Sequence, residues 1–195
     1  MRLSELKFVV FDVETTGLEP ESGDRIVEIA ALKSKGEKVV DRFHSLINPK
    51  VPVSAGAFAV NGITLDMLKS APRPSEIIPK FVDFIKRDAL FAYNANFDAA
   101  FLAQELKLLG ENLPQELIII DILAMARSLV TNLFSYKLES VAKHLGYAQV
   151  QKHRALEDVK MSFFILQKLF AILKTRGRDD FLQIKNLYGI SLQNI

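Results

Sequence analysis

Residues 8–11, Phe-Val-Val-Phe, form a short apolar run between Lys7 and Asp12, rich in the side chains that fit a pleated, buried surface. The run predicts a central strand. A loop follows, marked by Thr15-Thr16-Gly17 and Pro20-Glu21-Ser22-Gly23. Residues 26–32 and 39–47 read as two more strands, with Ser34-Lys35-Gly36-Glu37 as the hairpin loop between them. Residues 48–74, rich in proline and glycine, are expected to be irregular, with short helical turns around Ala57 and Leu65. Pro74-Ser75-Glu76 opens a helix to about Lys86, with Ile77, Ile78, Phe81, Phe84 and Ile85 on its apolar face. A fourth strand is predicted at 89–93, a helix at 97–109 stopped by Gly110, and a fifth strand at 117–120 before Asp121. The remainder is predicted helical, over about 121–130, 137–145, 155–174 and 178–187. Three consecutive strands followed by helices are an α+β or mixed-sheet signature, and the expected fold class is α/β, with a mixed five-stranded sheet flanked by helices. The basic break Lys174-Thr175-Arg176-Gly177-Arg178 separates a domain over residues 1–175 from a helical tail over 176–195.

Composition narrows the classes. Of 195 residues, 49% are apolar and 25% charged, which supports a sizeable core and excludes intrinsic disorder. Cysteine is absent, so disulfide frameworks, thiolate zinc sites and cysteine nucleophiles are excluded. Three histidines, none of them paired, do not supply a zinc-type spacing. Lys+Arg 25 against Asp+Glu 23 leaves a net charge of +2, too small for a generic nucleic-acid coat. A polyanion must then be met by a local patch or by bound metal. No apolar run reaches bilayer-spanning length, and Arg2, Glu5 and Lys7 interrupt the place where a signal peptide carries its apolar centre. The chain is expected to be cytoplasmic, with no membrane partner.

The acids cluster where predicted strands end, the edge at which open α/β sheets carry their sites. Asp12 and Glu14 are i and i+2 at a strand end, so both carboxylates project to one face while Val13 turns to the other. Side by side they repel and lose hydration unless a cation sits between them. Hard divalent ions bind through such oxygens. Glu19 and Glu21 share the spacing but flank a proline in a loop, and gain no role. Asp98 falls at a helix start, where a carboxylate also simply offsets the helix dipole, and Asn96 is a natural N-cap. His153 and Asp158 would stand about 140° apart on a helix, so they converge only if His153 lies in the loop before it. Alone, a histidine between Lys152 and Arg154 reads as a surface residue. Ala155, one turn before Asp158 and on its face, leaves room there for a ligand.

Together, Phe11-Asp12-Val13-Glu14-Thr15-Thr16-Gly17-Leu18, Asn94-Ala95-Asn96-Phe97-Asp98 and His153-Arg154-Ala155-Leu156-Glu157-Asp158 resemble the three motifs of the DEDDh (DnaQ-like) 3′–5′ exonucleases. They come in family order and at family-like separations. The likeness is nearest to the proofreading exonuclease of bacterial DNA polymerase III, as a separate epsilon subunit or as a domain of a larger polymerase. It covers roughly residues 5–173, with Val60-Asn61-Gly62-Ile63-Thr64 and the segment 121–127 extending it. Tyr93 and Asn61 stand where the family frequently has histidine.

The resemblance implies an RNase H-like fold and hydrolysis of phosphodiester bonds at the 3′ end of single-stranded DNA, releasing nucleoside 5′-monophosphates. It implies two divalent ions as cofactors, Mg²⁺ or Mn²⁺. Asp12 would bridge both, Glu14 and Asp158 would hold the ion that binds the attacking water, and Asp98 would serve the second. His153 would be the general base. Thr15, Thr16, Asn61, Asn94 and Phe97 are the implied contacts to the terminal nucleotides, with Phe97 a candidate to stack on a base. Lys137, Lys143, Lys152 and Arg154 are candidates for a basic rim. The implied biology is proofreading beside a polymerase III catalytic subunit. A stand-alone DNA-repair enzyme, an RNA-trimming enzyme and a non-catalytic nucleic-acid-binding scaffold are the alternatives. A haloacid-dehalogenase phosphotransferase wants Asp-x-Asp, and Glu14 argues against it. Phe181, Ile184, Leu187 and Tyr188 have helical spacing, suited either to a partner or to the chain's own domain.

Overall fold

A computed structural model describes residues 1–86, 88–111, 117–148 and 154–191. In chain order its strands are β1 (Lys7–Thr15), β2 (Ile26–Lys35), β3 (Lys38–Leu46), β4 (Ala89–Ala92), β5 (Ile118–Asp121) and β6 (Gly189–Ser191). The helices are α1 (Ala55–Asn61), α2 (Leu65–Lys69), α3 (Pro74–Ile85), α4 (Ala95–Leu109), α5 (Ile122–Leu129), α6 (Leu138–His144), α7 (Ala155–Thr175) and α8 (Phe181–Tyr188). The strands form one mixed sheet in the order β3-β2-β1-β4-β5-β6. β1, β4 and β5 run parallel at its centre, and β2, β3 and β6 are antiparallel to their neighbours. The sheet therefore has six strands, where the sequence predicts five. β6 was hidden because Gly189-Ile190-Ser191 is too short to show an alternation and follows α8 without a break.

Alternation along β1 divides the core. Phe8 and Val10 face the helices α5, α7 and α8, together with Ala30 and Leu32 of β2. Val9, Phe11 and Val13 face α3 and α4, together with Ile29 and Ala31. Aromatic rings lock the first layer: Phe8 meets Phe91 at 5.4 Å and Phe170 at 5.8 Å between centroids. Such edge-on pairs add roughly 0.5–1.5 kcal/mol each beyond their buried area. On the α7 side of β1 the series Phe8, Val10 continues as Asp12, Glu14. The apolar stripe thus turns acidic at the end where α7 begins.

Several helices start where their caps dictate. Ser54 and Thr64 accept from the third amide of α1 and α2, at 3.1 and 3.2 Å. α4 begins at Ala95, two residues earlier than the sequence suggests, because Asn94 takes a left-handed conformation at φ 66° and turns the chain into the helix. Asparagine is among the few residues that tolerate this conformation. Ile184 of α8 is buried in the same apolar cluster as α7, and the Tyr188 hydroxyl bonds Ser128 of α5 at 3.0 Å. Among the described residues no helix is long and apolar enough to cross a membrane.

Candidate active site

Asp12 and Glu14 project from the end of β1, and Asp158 reaches them from the first turn of α7. One carboxylate oxygen from each lies within 4.8 Å of the others. Asp158 is 7% exposed and Glu14 9%. Three carboxylates cannot share so small a volume as anions without compensation. Burial, then Asp158 and Glu28, push Glu14 up to about 8. Burial, followed by Asp98, Asp158 and Glu14, raises Asp12 well above the ordinary range.

Asp98, in the first turn of α4, stands beside this group. Its Oδ1 accepts the Val13 amide at 3.0 Å, and its side chain is 2% exposed. Burial raises its pKa, against the Val13 hydrogen bond that favours the charged form. Asp98 therefore turns to the strand between the other two acids. Asn96 does not cap α4, since the position before the helix is Asn94.

The acids floor a cleft of about 610 Å³ whose walls include Thr15, Leu18, Val60, Asn61, Tyr93 and Phe97. Asn61 closes α1 and is buried; its amide donates to the Thr15 carbonyl at 3.2 Å and its Oδ1 accepts from Ile63 at 3.0 Å. Phe97 leans on Phe101 at 4.9 Å between centroids and still faces the cleft. Thr15, Asn61 and Phe97 thus meet at the cleft, whereas Thr16 and Asn94 do not line it. The Thr16 hydroxyl is 2.8 Å from Asp24 and accepts the Arg25 amide at 3.0 Å. The exposed Asn94 donates its backbone N–H to the Asp121 carboxylate at 3.2 Å. Tyr93 donates its hydroxyl to the Tyr136 carbonyl at 2.7 Å, tying β4 to the loop before α6. His153 and Lys152 lie outside the described residues.

Glu28 escaped the sequence reading. It is fully buried on β2, and its Cα partner across the strand pair is Glu14. Arg154, a candidate for the basic rim, instead grips Glu28 with two hydrogen bonds of 2.7 and 3.0 Å. Burial alone would raise Glu28, but the bonds from Arg154 and His44 bring it below its usual range. The signal available was a lone charge inside the apolar run Ile26-Val27-Glu28-Ile29-Ala30-Ala31-Leu32.

The donor set suits a hard divalent cation: among the described residues three carboxylates cluster, and burial with mutual repulsion raises the pKa of Asp12 and of Glu14. Comparisons with known proteins bear on the family. Residues 9–166 match the family model of the RNase_T type, described as exonuclease. A PolC-type DNA polymerase III from Caldanaerobacter subterraneus subsp. tengcongensis is 40% identical over 173 residues, which is 89% of this chain and 12% of that polymerase. The chain thus spans about one eighth of the polymerase relatives it matches. The solved complex of Exonuclease X with 5′-overhanging duplex DNA is 26% identical, with a TM-score of 0.73 over 92% of this chain and 98% of that one. E. coli Exonuclease I, solved with a dT13 oligonucleotide, shares the fold at a TM-score of 0.77 and 18% identity, over 88% of this chain and 42% of that one.

Proposed function

Because the chain belongs to the exonuclease family, in its DnaQ-like 3′–5′ branch, we propose that it trims the 3′ end of single-stranded DNA by divalent-metal-dependent hydrolysis, releasing nucleoside 5′-monophosphates. The observation that carries the reading is the approach of Asp12, Glu14 and Asp158 within 4.8 Å at the floor of an open cleft. Asp12, Glu14 and Asp158 would hold the metal, Mg²⁺ or Mn²⁺, with Asp98 beside them. When bound, two such ions activate the attacking water and stabilise the leaving 3′-oxygen.

The chain's own groups do the rest. His153 takes the proton from the attacking water, which requires its imidazole neutral. Asn61 holds the Thr15 carbonyl, and so sets the wall against which the terminal nucleotide lies. Phe97 offers an aromatic face to a base. Thr15 would contact the terminal nucleotide, while Thr16 braces the loop at the Arg25 amide and Asn94 is itself held by its backbone amide on Asp121. DNA is the proposed substrate because Exonuclease X, a structural relative 26% identical to this chain, was solved on DNA. The polymerase relatives support proofreading beside a polymerase III catalytic subunit as the biological role.

The test is a gel assay on matched 5′-labelled single-stranded DNA and RNA with Mg²⁺, Mn²⁺ or EDTA, run beside Asp12→Ala. A shortening ladder on DNA that disappears in EDTA and in the variant is expected, with the variant still folded because carboxylate repulsion is relieved. Retained hydrolysis in Asp12→Ala would rule this site out, and faster shortening of RNA would move the biology to RNA trimming.

A further inference from the structure

Glu28 and Glu14 face each other across β1 and β2. Like charges in that position destabilise a sheet, and a third carboxylate beside two metal-binding candidates invites the reading of another ligand. Its hydrogen bonds exclude that reading. Oε2 accepts from Arg154 Nε at 3.0 Å and from the Ala155 amide at 3.2 Å. Oε1 accepts from Arg154 Nη2 at 2.7 Å and meets His44 Nε2 at 2.7 Å. An ionised carboxylate has about four lone-pair sites; three accept N–H groups of Arg154 and Ala155, and the fourth lies against the His44 ring.

These partners belong to the start of α7. The Arg154 carbonyl accepts the amides of Glu157 at 2.8 Å and Asp158 at 3.1 Å. Arg154 itself makes no side-chain cap on α7. Glu28 does this from 127 residues away, by taking the Ala155 amide and placing negative charge at the positive end of a 21-residue helix. One residue, Arg154, is therefore held by its side chain on β2 and holds Asp158 by its carbonyl. It also follows His153 directly in the chain.

We propose that Glu28 is a positioning residue for the hydrolytic site: through Arg154 and the Ala155 amide it docks the first turn of α7, setting Asp158 against Asp12 and Glu14 and anchoring the chain next to His153. The proposal rests on the assignment of that site as the hydrolytic one. A carboxylate serves better than an amide because it accepts the planar guanidinium fork and the helix amide together.

The experiment compares the wild-type chain with Glu28→Gln, Arg154→Lys, the double variant Glu28→Gln/Arg154→Lys, and Leu173→Ala. Leu173 is buried at the far end of α7, so its truncation destabilises the same helix without touching its start. Glu28→Gln is expected to lower kcat on single-stranded DNA about 10–100-fold, weaken Mn²⁺ binding in thermal-shift titrations by a similar factor, and leave KM for DNA within about threefold. In the metal-free protein the amide resonances of Glu157 and Asp158 should shift in Glu28→Gln and stay in place in Leu173→Ala. The double variant should lose no more than the worse single one, because the two residues act as one device. Wild-type kcat and unmoved amides in Glu28→Gln, with a melting loss like that of Leu173→Ala, would overturn the proposal and leave Glu28 a purely structural anchor. If Glu28→Gln does not fold, Arg154→Lys decides by the same readouts. An inactive wild type would instead sink the hydrolytic assignment, while the amide shifts still report whether Glu28 docks α7.

Discussion

The Val13 amide donates to Asp98 Oδ1 at 3.0 Å, so the peptide between Asp12 and Glu14 is tied to the first turn of α4. This bond separates the two tasks of Asp98, because an asparagine retains the acceptor and loses the charge. Asp98→Asn should hold the metal-free melting temperature at or above wild type, since burial opposes the charged form of Asp98. It should lower hydrolysis by at least about 10²-fold if the charge serves the metal. Asp98→Ala leaves the buried Val13 amide without its partner and should fall about 1–3 kcal/mol below Asp98→Asn in stability. Melts of both variants, with rates alongside, decide; equal stability would mean that the bond carries no weight.

Glu14 gives the site a pH dependence with a definite sign. Its pKa is raised to about 8 by burial, then by Asp158 and Glu28, against roughly 4.3 in an unfolded chain. Between those values the metal-free folded state keeps a proton that the unfolded state has released. Metal-free stability therefore falls as pH rises through this window. A divalent ion replaces that proton, so the rise in melting temperature on adding Mn²⁺ should be larger near about pH 8 than near about pH 5. Glu14→Gln should flatten the metal-free decline. A Mn²⁺ shift of the same size at both pH values would contradict the assignment of Glu14 as a ligand.

His153 stands on the sequence alone, as the residue before the docked Arg154. As general base it should cost on the order of 10²–10⁴ in kcat when replaced by alanine. The acidic limb of the kcat–pH profile, which reports the imidazole losing its proton, should vanish with it. Single-turnover rates over pH give both quantities. A rate within threefold of wild type would return His153 to an ordinary surface role.

What the sequence revealed and what it concealed follow the range of the forces involved. Asp12 and Glu14 were legible as a pair because strand alternation is local: two residues on, the side chain returns to the same face. Asp98 and Asp158 were legible as helix-start acids, yet their convergence on β1 depends on the sheet order β2-β1-β4 and on α7 returning across it. β6 was illegible because three residues carry no period. Glu28 was hidden for a different reason. Its meaning comes from Arg154 and Ala155, more than a hundred positions away, and no local pattern links them.

A second buried carboxylate repeats the Glu28 device with no catalytic group attached, and so isolates its contribution to stability. Glu105 of α4 is 1% exposed; it accepts Arg25 Nε at 2.8 Å, Arg25 Nη2 at 2.7 Å and the Ile26 amide at 3.2 Å, pinning the start of β2 to α4. Arg25→Met removes the cation and leaves a buried charge held by one amide. Breaking one partner of such a pair costs about 3–5 kcal/mol, and the lower end applies because the Arg25 side chain is 19% exposed. Arg25→Met/Glu105→Gln should recover part of this loss, since the neutral amide still accepts from Ile26 without a stranded charge. Urea midpoints of the two variants at unchanged m-value measure the difference. If the double variant is no more stable than Arg25→Met, the penalty comes from lost packing of the arginine stem and not from the buried charge.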